Sequence, residues 1–151
     1  GRERLEHARS PHDHSLPLST HVYQALVFVL RRSAIEAPAW PGPPVWVHGD
    51  LRPGNLLAVQ GQLSAVIDFG GLGVGDPACD VMAAWMFLSA ETRNVFRAAL
   101  QVDHATWVRG RGWALSVGLI ALPYYQTTNP DLAGIARRAI HEALVDYSAS
   151  G

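Results

Sequence analysis

V-W-V-H-G-D-L-R-P-G-N-L-L-A-V-Q-G-Q-L-S-A-V-I-D-F-G, residues 45–70, is the stretch on which the reading of this chain turns. Val45 to Val47 is short, β-branched and aromatic, which predicts a strand. A polar loop follows, holding His48, Asp50, Arg52 and Asn55. Two more strand-like runs, Leu56 to Val59 and Leu63 to Ile67, are joined at Gly61 and lead into Asp68-Phe69-Gly70. A hairpin built this way carries Asp68 back toward Asn55. Clustered Asp and Asn oxygens suit Mg²⁺, a hard cation that keeps some of its waters and shares phosphate oxygens with a substrate. Asp50 lies close enough in sequence to act as a base beside such a metal. The arrangement reads as phosphoryl transfer.

The order His48, Asp50, Leu51, Asn55 and then Asp68-Phe69-Gly70 resembles the protein-kinase pattern H-R-D-L-x-x-x-N followed by D-F-G, with Gly49 in place of the arginine. The glycine after the histidine, and Gly75-Asp76-Pro77-Ala78-Cys79-Asp80 downstream, make the stretch more similar to the aminoglycoside phosphotransferase family. These are kinase-like enzymes that phosphorylate small molecules. Three blocks in order over residues 45–80 weigh more than any single short match.

The resemblance implies an α+β, predominantly α-helical fold: the C-terminal lobe of a protein-kinase-like structure, with a small β-hairpin carrying the catalytic loop. It implies Mg²⁺, ATP or GTP as phosphate donor, and a small-molecule hydroxyl as acceptor. Asp50 carries over as the base that accepts or orients the hydroxyl proton, and Asn55 and Asp68 as the Mg²⁺ ligands. His48 becomes a structural brace beneath the metal-binding segment. Asp80 matches an aspartate near a helix start that accepts backbone N–H bonds from the catalytic loop. Arg52 departs from the pattern, since this family usually has His there and many protein kinases Lys. All three bring positive charge toward a moving phosphoryl group, and arginine offers phosphate a planar fork. Arg52 is therefore expected to contact phosphate.

Taken singly, these residues have plainer roles open to them. Asp and Asn in a hairpin loop are ordinary turn chemistry, and an arginine there can be a surface charge. His48, Asp50 and Asp68 could also ligate the metal of a hydrolase, although histidine favours zinc or iron and no second histidine lies at ligand spacing. A non-catalytic module that binds Mg-nucleotide or another chain is the alternative from a different class.

Composition narrows the field. With 151 residues, 48% hydrophobic and 17% charged, the chain is one globular domain. A net charge of −1 gives no argument for nucleic acid or for an anionic membrane. Cys79 is the single cysteine, which excludes an internal disulfide and suits a reducing cytoplasm. The longest nearly apolar run, Trp113 to Pro123, falls short of the roughly 20 residues that span a bilayer. All 12 basic residues are arginine. Kinase-like enzymes hold the nucleotide phosphates with a lysine on a strand of an N-terminal β-lobe. That lysine is not in this chain, and residues 1–44 leave no room for such a lobe. The opening Gly-Arg-Glu-Arg, without methionine or signal pattern, fits a fragment. An isolated C-terminal lobe is expected to be inactive alone and, with the face that its partner lobe covers left bare, to self-associate as a dimer.

Around the motif the pattern predicts helices. Residues 1–18 are polar, and His12-Asp13-His14 there is read as part of a solvated, peripheral terminus rather than a metal pair. Ser19 or Thr20 caps a helix to Glu36 whose centre, Ala25 to Leu30, is apolar all round and should have neighbours on several sides. Gly71 to Gly75 reads as a flexible segment rather than a nucleotide loop, its spacing not being G-x-G-x-x-G. Pro77 opens a buried helix to Leu88. Ser89 and Asp103 cap the next two, ending near Leu100 and Pro123. Gly110, Gly112 and Gly118 leave room for a neighbouring element. Asn129-Pro130 starts the last helix, with Leu132, Ala136, Ile140, Ala143, Leu144 and Tyr147 inward and Arg137, Arg138, Glu142 and Asp146 on its wet side. The acidic residues that could face a polycationic aminoglycoside are few: Glu91, Asp103, Glu142 and Asp146.

Overall fold

The computed structural model describes Glu3, Arg4 and residues 20–150. In chain order the elements are β1 (Glu3–Arg4), α1 (Thr20–Glu36), β2 (Val45–Val47), β3 (Leu56–Val59), β4 (Gln62–Val66), β5 (Gly73–Gly75), α2 (Ala78–Val81), α3 (Ala83–Phe87), α4 (Ala90–Leu100), α5 (His104–Tyr125) and α6 (Pro130–Ala149). The fold is mostly helical with two small antiparallel sheets, compatible with an α+β class. One sheet has the order β1-β3-β4 and the other pairs β2 with β5. Among the described residues no helix is long and apolar enough to cross a membrane.

Helix α5 is the axis of the molecule, packed against α1, α2 and α6. The core around it holds Leu30, Val81, Trp85, Trp107, Leu115, Ile140 and Leu144. Trp85 and Trp107 meet at 4.7 Å between ring centroids, tilted at 50°. A side chain of that size, fully buried, costs about 3–5 kcal/mol to truncate. Small residues let the helices close on one another. A Cβ at Gly110 would press on Val81, at Gly112 on Ala34 and at Gly118 on Ile140, so these glycines admit α2, α1 and α6 and not the hairpin.

The helix starts follow their caps. Ser89 accepts from Thr92 N–H, Asp103 from Thr106 N–H and Asn129 from Leu132 N–H, each satisfying a donor that the first turn leaves free. Pro123 does not end α5, which runs on to Tyr125. A proline there removes one donated bond and crowds the carbonyl four residues back, yet Gln126 N–H to Leu122 O closes the end at 2.9 Å.

Four expectations are corrected. Helix α1 is covered on one face only: Leu30 is buried and Tyr23, Leu26 and Val27 pack on the core, while Val22, Phe28, Val29 and Ile35 stand exposed. The segment after Gly70 is not loose. Gly73–Gly75 forms β5, in register with β2 through Val47↔Gly73, Trp46↔Val74 and Val45↔Gly75. The helix from Pro77 breaks at Met82 into α2 and α3, and the chain turns extended at Leu88. Finally, Glu142 and Asp146 are not on a wet face. Glu142 receives Arg93 at 2.8 Å, and Asp146 receives Arg111 at 3.0 Å. Arg138 also turns inward, donating to Leu88 O at 3.0 Å.

At the amino terminus, Glu3 and Arg4 pair antiparallel with Leu57 and Ala58. Ser19 and the His12-Asp13-His14 triplet lie outside the described residues.

Candidate active site

The loop after β2 is suspended from Asp80, at the start of α2. His48 N–H donates to Asp80 Oδ2 at 2.7 Å, and Gly49 N–H donates to Asp80 Oδ1 at 2.9 Å. Both carboxylate oxygens are thereby committed to the loop backbone. Gly49 has φ +81°, and a Cβ there would collide with the carbonyl of Gly71. That collision explains a glycine after the histidine: β2 and β5 can pair only if residues 49 and 71 pass backbone to backbone. Gly71 thus serves packing against the loop, where a Cβ would press on His48 O and Gly49, while a Cβ at Gly75 would meet nothing.

His48 is buried and fully engaged. Its Nδ1 accepts from Asp50 N–H at 3.2 Å, which leaves the proton on Nε2, facing Ile67 O at 3.0 Å. Phe69 lies on the ring at 4.7 Å between centroids. One imidazole therefore ties the loop after β2 to the strand end that carries Asp68. With both nitrogens occupied, it is not free to bind a metal. Among the described residues no group of three or more His, Cys, Asp or Glu could hold one. The hydrolase ligand set of His48, Asp50 and Asp68 is not assembled.

Asn55 ends a 3-10 turn, Pro53–Asn55, and is buried. Its Nδ2 donates to Asp50 O and to Asp50 Oδ2, both at 2.8 Å. Two acceptors fix the amide orientation and leave the carbonyl oxygen Oδ1 available. Ile67 N–H donates to Asn55 O at 2.9 Å, and Leu56 pairs with Val66, so the hairpin sets Asp68 beside this turn. Asp68 itself has φ 65° and ψ 62°. The left-handed region costs an L residue roughly 1–2 kcal/mol and Asp tolerates it better than most. Such strain collects at functional sites.

Arg52 lies between the two carboxylates. Its Nε is 3.0 Å from Asp50 Oδ2 and its Nη2 is 3.9 Å from Asp68 Oδ2. Asp50 Oδ2 therefore takes two donors, Arg52 and Asn55, while Oδ1 has none among the described residues. The structure thus brings Asp50, Arg52, Asn55 and Asp68 into one cluster, with His48 and Asp80 beneath it. Oxygen donors of this kind, one amide and one carboxylate with Asp50 adjacent, fit Mg²⁺ completed by water and phosphate, and fit zinc poorly.

Two features escaped the sequence reading. Asp76 accepts from Ala78 N–H at 2.9 Å, and it also clasps Arg109 of α5 through Nε at 2.7 Å and Nη2 at 3.1 Å. Arg109 reaches on to Pro38 O, so one guanidinium joins α5, the entry to α2 and the connector after α1. Burial alone would raise the Asp76 carboxyl. The hydrogen bonds from Arg109 and Ala78, with the charge of Arg109, outweigh it and hold the group below its ordinary value. The nearby Cys79 thiol is pushed up by burial and by the charges of Asp80 and Asp76, which keeps it neutral. The second feature is a cleft of about 260 Å³ between α3, α5 and α6, with Asp50 and Arg52 in its wall. No local motif announces it, because its walls are apolar residues at helical spacing.

A braced His-Gly-Asp loop, a buried asparagine and an Asp-Phe-Gly whose aspartate is left-handed are thus gathered in one place, in the order that the kinase pattern has them. A model of the phosphotransferase enzyme family matches residues 1–113. The chain belongs to that family, which bears out the resemblance to aminoglycoside phosphotransferases. A search of curated proteins gave no match.

Proposed function

We propose that this chain is the helical lobe of a kinase-like phosphotransferase that moves the γ-phosphate of ATP or GTP to a hydroxyl of a small molecule. The observation that carries the reading is the single cluster of Asp50, Arg52, Asn55 and Asp68, hung on Asp80 and His48. Asp50 Oδ1 is the oxygen free to take a proton, while Oδ2 is steered by Arg52 and Asn55. The acceptor hydroxyl gives its proton to Asp50 as its oxygen forms a bond to the γ-phosphorus. The bond from that phosphorus to the bridging oxygen breaks, and the electron pair leaves with the nucleoside diphosphate. Asn55 Oδ1 and Asp68 would hold Mg²⁺, which when bound neutralises charge on the β- and γ-phosphates. Arg52 is placed to leave its carboxylate partners and contact phosphate with its fork.

The 151 residues contain no lysine. The phosphate-holding lysine must then come from a second lobe, and the chain alone transfers no phosphate. The same fact favours the second reading, a lobe that binds Mg-nucleotide or another chain without turnover. The face where a second lobe would sit is apolar: Trp46 and Val74, opposite one another across β2 and β5, are 74% and 57% exposed, with Phe69 and Leu72 following. With that face and the outer side of α1 bare, the chain alone self-associates as a dimer, whereas a clean monomer by light scattering at tens of micromolar would refute it. For the chemistry, turnover with the lysine-bearing lobe supplied is the test. Asp50→Asn should remove nearly all of it and leave nucleotide binding near normal; a full-rate variant excludes Asp50 as the base.

A further inference from the structure

We infer that the acceptor is a compact, uncharged, largely apolar alcohol and not a polycationic aminoglycoside. The inference rests on the phosphotransferase reading and concerns the cleft that opens beside Asp50. Apart from Asp50 and Arg52, its walls come from α3, α5 and α6 and include Met86, Val117, Tyr125, Leu132 and Ile135. With no nucleotide bound, Arg52 faces Asp50 at 3.0 Å and Asp68 at 3.9 Å, so this end of the cleft offers the excess of one carboxylate over one guanidinium, too little for a polycation. A molecule carrying several ammonium groups needs a carboxylate or water for each, because a buried unpaired charge is strongly disfavoured.

Among the described residues, the other carboxylates that could have met such a molecule are engaged elsewhere or lie outside the walls. Asp103 caps α5 through Thr106 N–H. Glu142 and Asp146 answer Arg93 and Arg111. Glu91 and Asp131, on the first turns of α4 and α6, are exposed and do not line the cleft. Size points the same way, since about 260 Å³ falls below the roughly 300–1,000 Å³ usual for drug-sized ligands. A hydroxyl on an aliphatic or alicyclic body, seated among Val117, Leu132 and Ile135, would present its oxygen at the end where Asp50 lies.

The test is equilibrium binding to the 151-residue chain without nucleotide, followed by ligand-observed NMR. The probes are cyclohexylmethanol and, as the polycation, kanamycin. Two variants accompany the wild type: Ala121→Phe, which fills the cleft from a half-buried wall position, and Leu132→Asp, which places a carboxylate in it. Circular dichroism checks that each folds, and either one suffices if the other does not. The expected result is saturable binding of cyclohexylmethanol, weakened at least tenfold by either variant, with kanamycin bound only by Leu132→Asp. Kanamycin bound by the wild type and displaced by Ala121→Phe overturns the inference. So does cyclohexylmethanol binding that neither variant changes, or no binding of the alcohol at all. The metal dependence of ATP binding, measured on the same samples, keeps the two readings apart. Its absence, with alcohol binding intact, removes the phosphotransferase reading and supports the cleft's preference.

Discussion

Arginine meets carboxylate in two settings in this chain. Inside the helical bundle the Arg93 side chain, 2% exposed, lies 2.8 Å from Glu142, which is 15% exposed. In the loop, Arg52 at 28% lies 3.0 Å from Asp50 at 46%, and 3.9 Å from Asp68 at 58%. The distances from arginine to its nearer carboxylate are almost equal, and the solvent is not. A pair stripped of water can turn only to another buried carboxylate, as Arg93 does to Asp146 at 3.9 Å, and so holds helices together. A pair that water still reaches can exchange that partner for a metal ion or a phosphate at little cost. The same two residue types thus build a joint in one place and a site in the other.

The largest expected effect falls on the joint. Glu142→Ala leaves Arg93 charged and buried with only the more distant Asp146, at 3.9 Å, and should cost about 3 kcal/mol of stability in denaturant unfolding. Asp50→Asn, at the open pair, should cost less than about 1 kcal/mol. Equal losses would erase the distinction between the two settings.

Asp76 and Arg109 lie between these extremes, with side chains 32% and 11% exposed. Asp76→Asn should cost roughly 1–3 kcal/mol at neutral pH, as loss of charged hydrogen bonds does. Because the folded-state carboxyl is held below its ordinary value, its stabilisation is complete above the ordinary aspartate range, about pH 4, and is lost as pH falls through the lowered value. Urea midpoints taken between pH 7 and pH 2 should therefore fall more steeply for the wild type than for Asp76→Asn. Parallel slopes would show that the pair does not sense protons.

The smallest effect on stability is expected at Arg52. Arg52→Ala should change unfolding by under about 1 kcal/mol, yet weaken Mg-nucleotide binding. Unaltered nucleotide affinity would return Arg52 to the role of a surface charge.

The legible parts of this molecule are those whose physics is local. Ser89, Asp103 and Asn129 each act on an N–H three residues ahead, so their helix starts can be read directly. The two strand-like runs joined at Gly61 are enough to read the hairpin that carries Asp68 to Asn55, but not its register, which shifts from Leu57↔Ala65 to Ala58↔Leu63. What could not be read depends on partners chosen by tertiary packing. Nothing in Gly73-Val74-Gly75 favours a strand until Val45–Val47 lies alongside it. Asp76 finds Arg109, and Arg93 finds Glu142, only once α2, α4, α5 and α6 are packed. The outer face of α1 misled for a related reason: an apolar residue can face solvent as well as a neighbour, and pattern alone does not say which.

The central claim is that Asn55 and Asp68 hold the metal that presents the nucleotide. Calorimetric titration of ATP, with and without Mg²⁺, into the wild type and Asp68→Ala addresses it most directly. The account predicts Mg²⁺-dependent binding in the wild type and loss of that dependence in the variant, with the circular dichroism spectrum unchanged. Equal Mg²⁺-dependent affinity in a folded Asp68→Ala would contradict it.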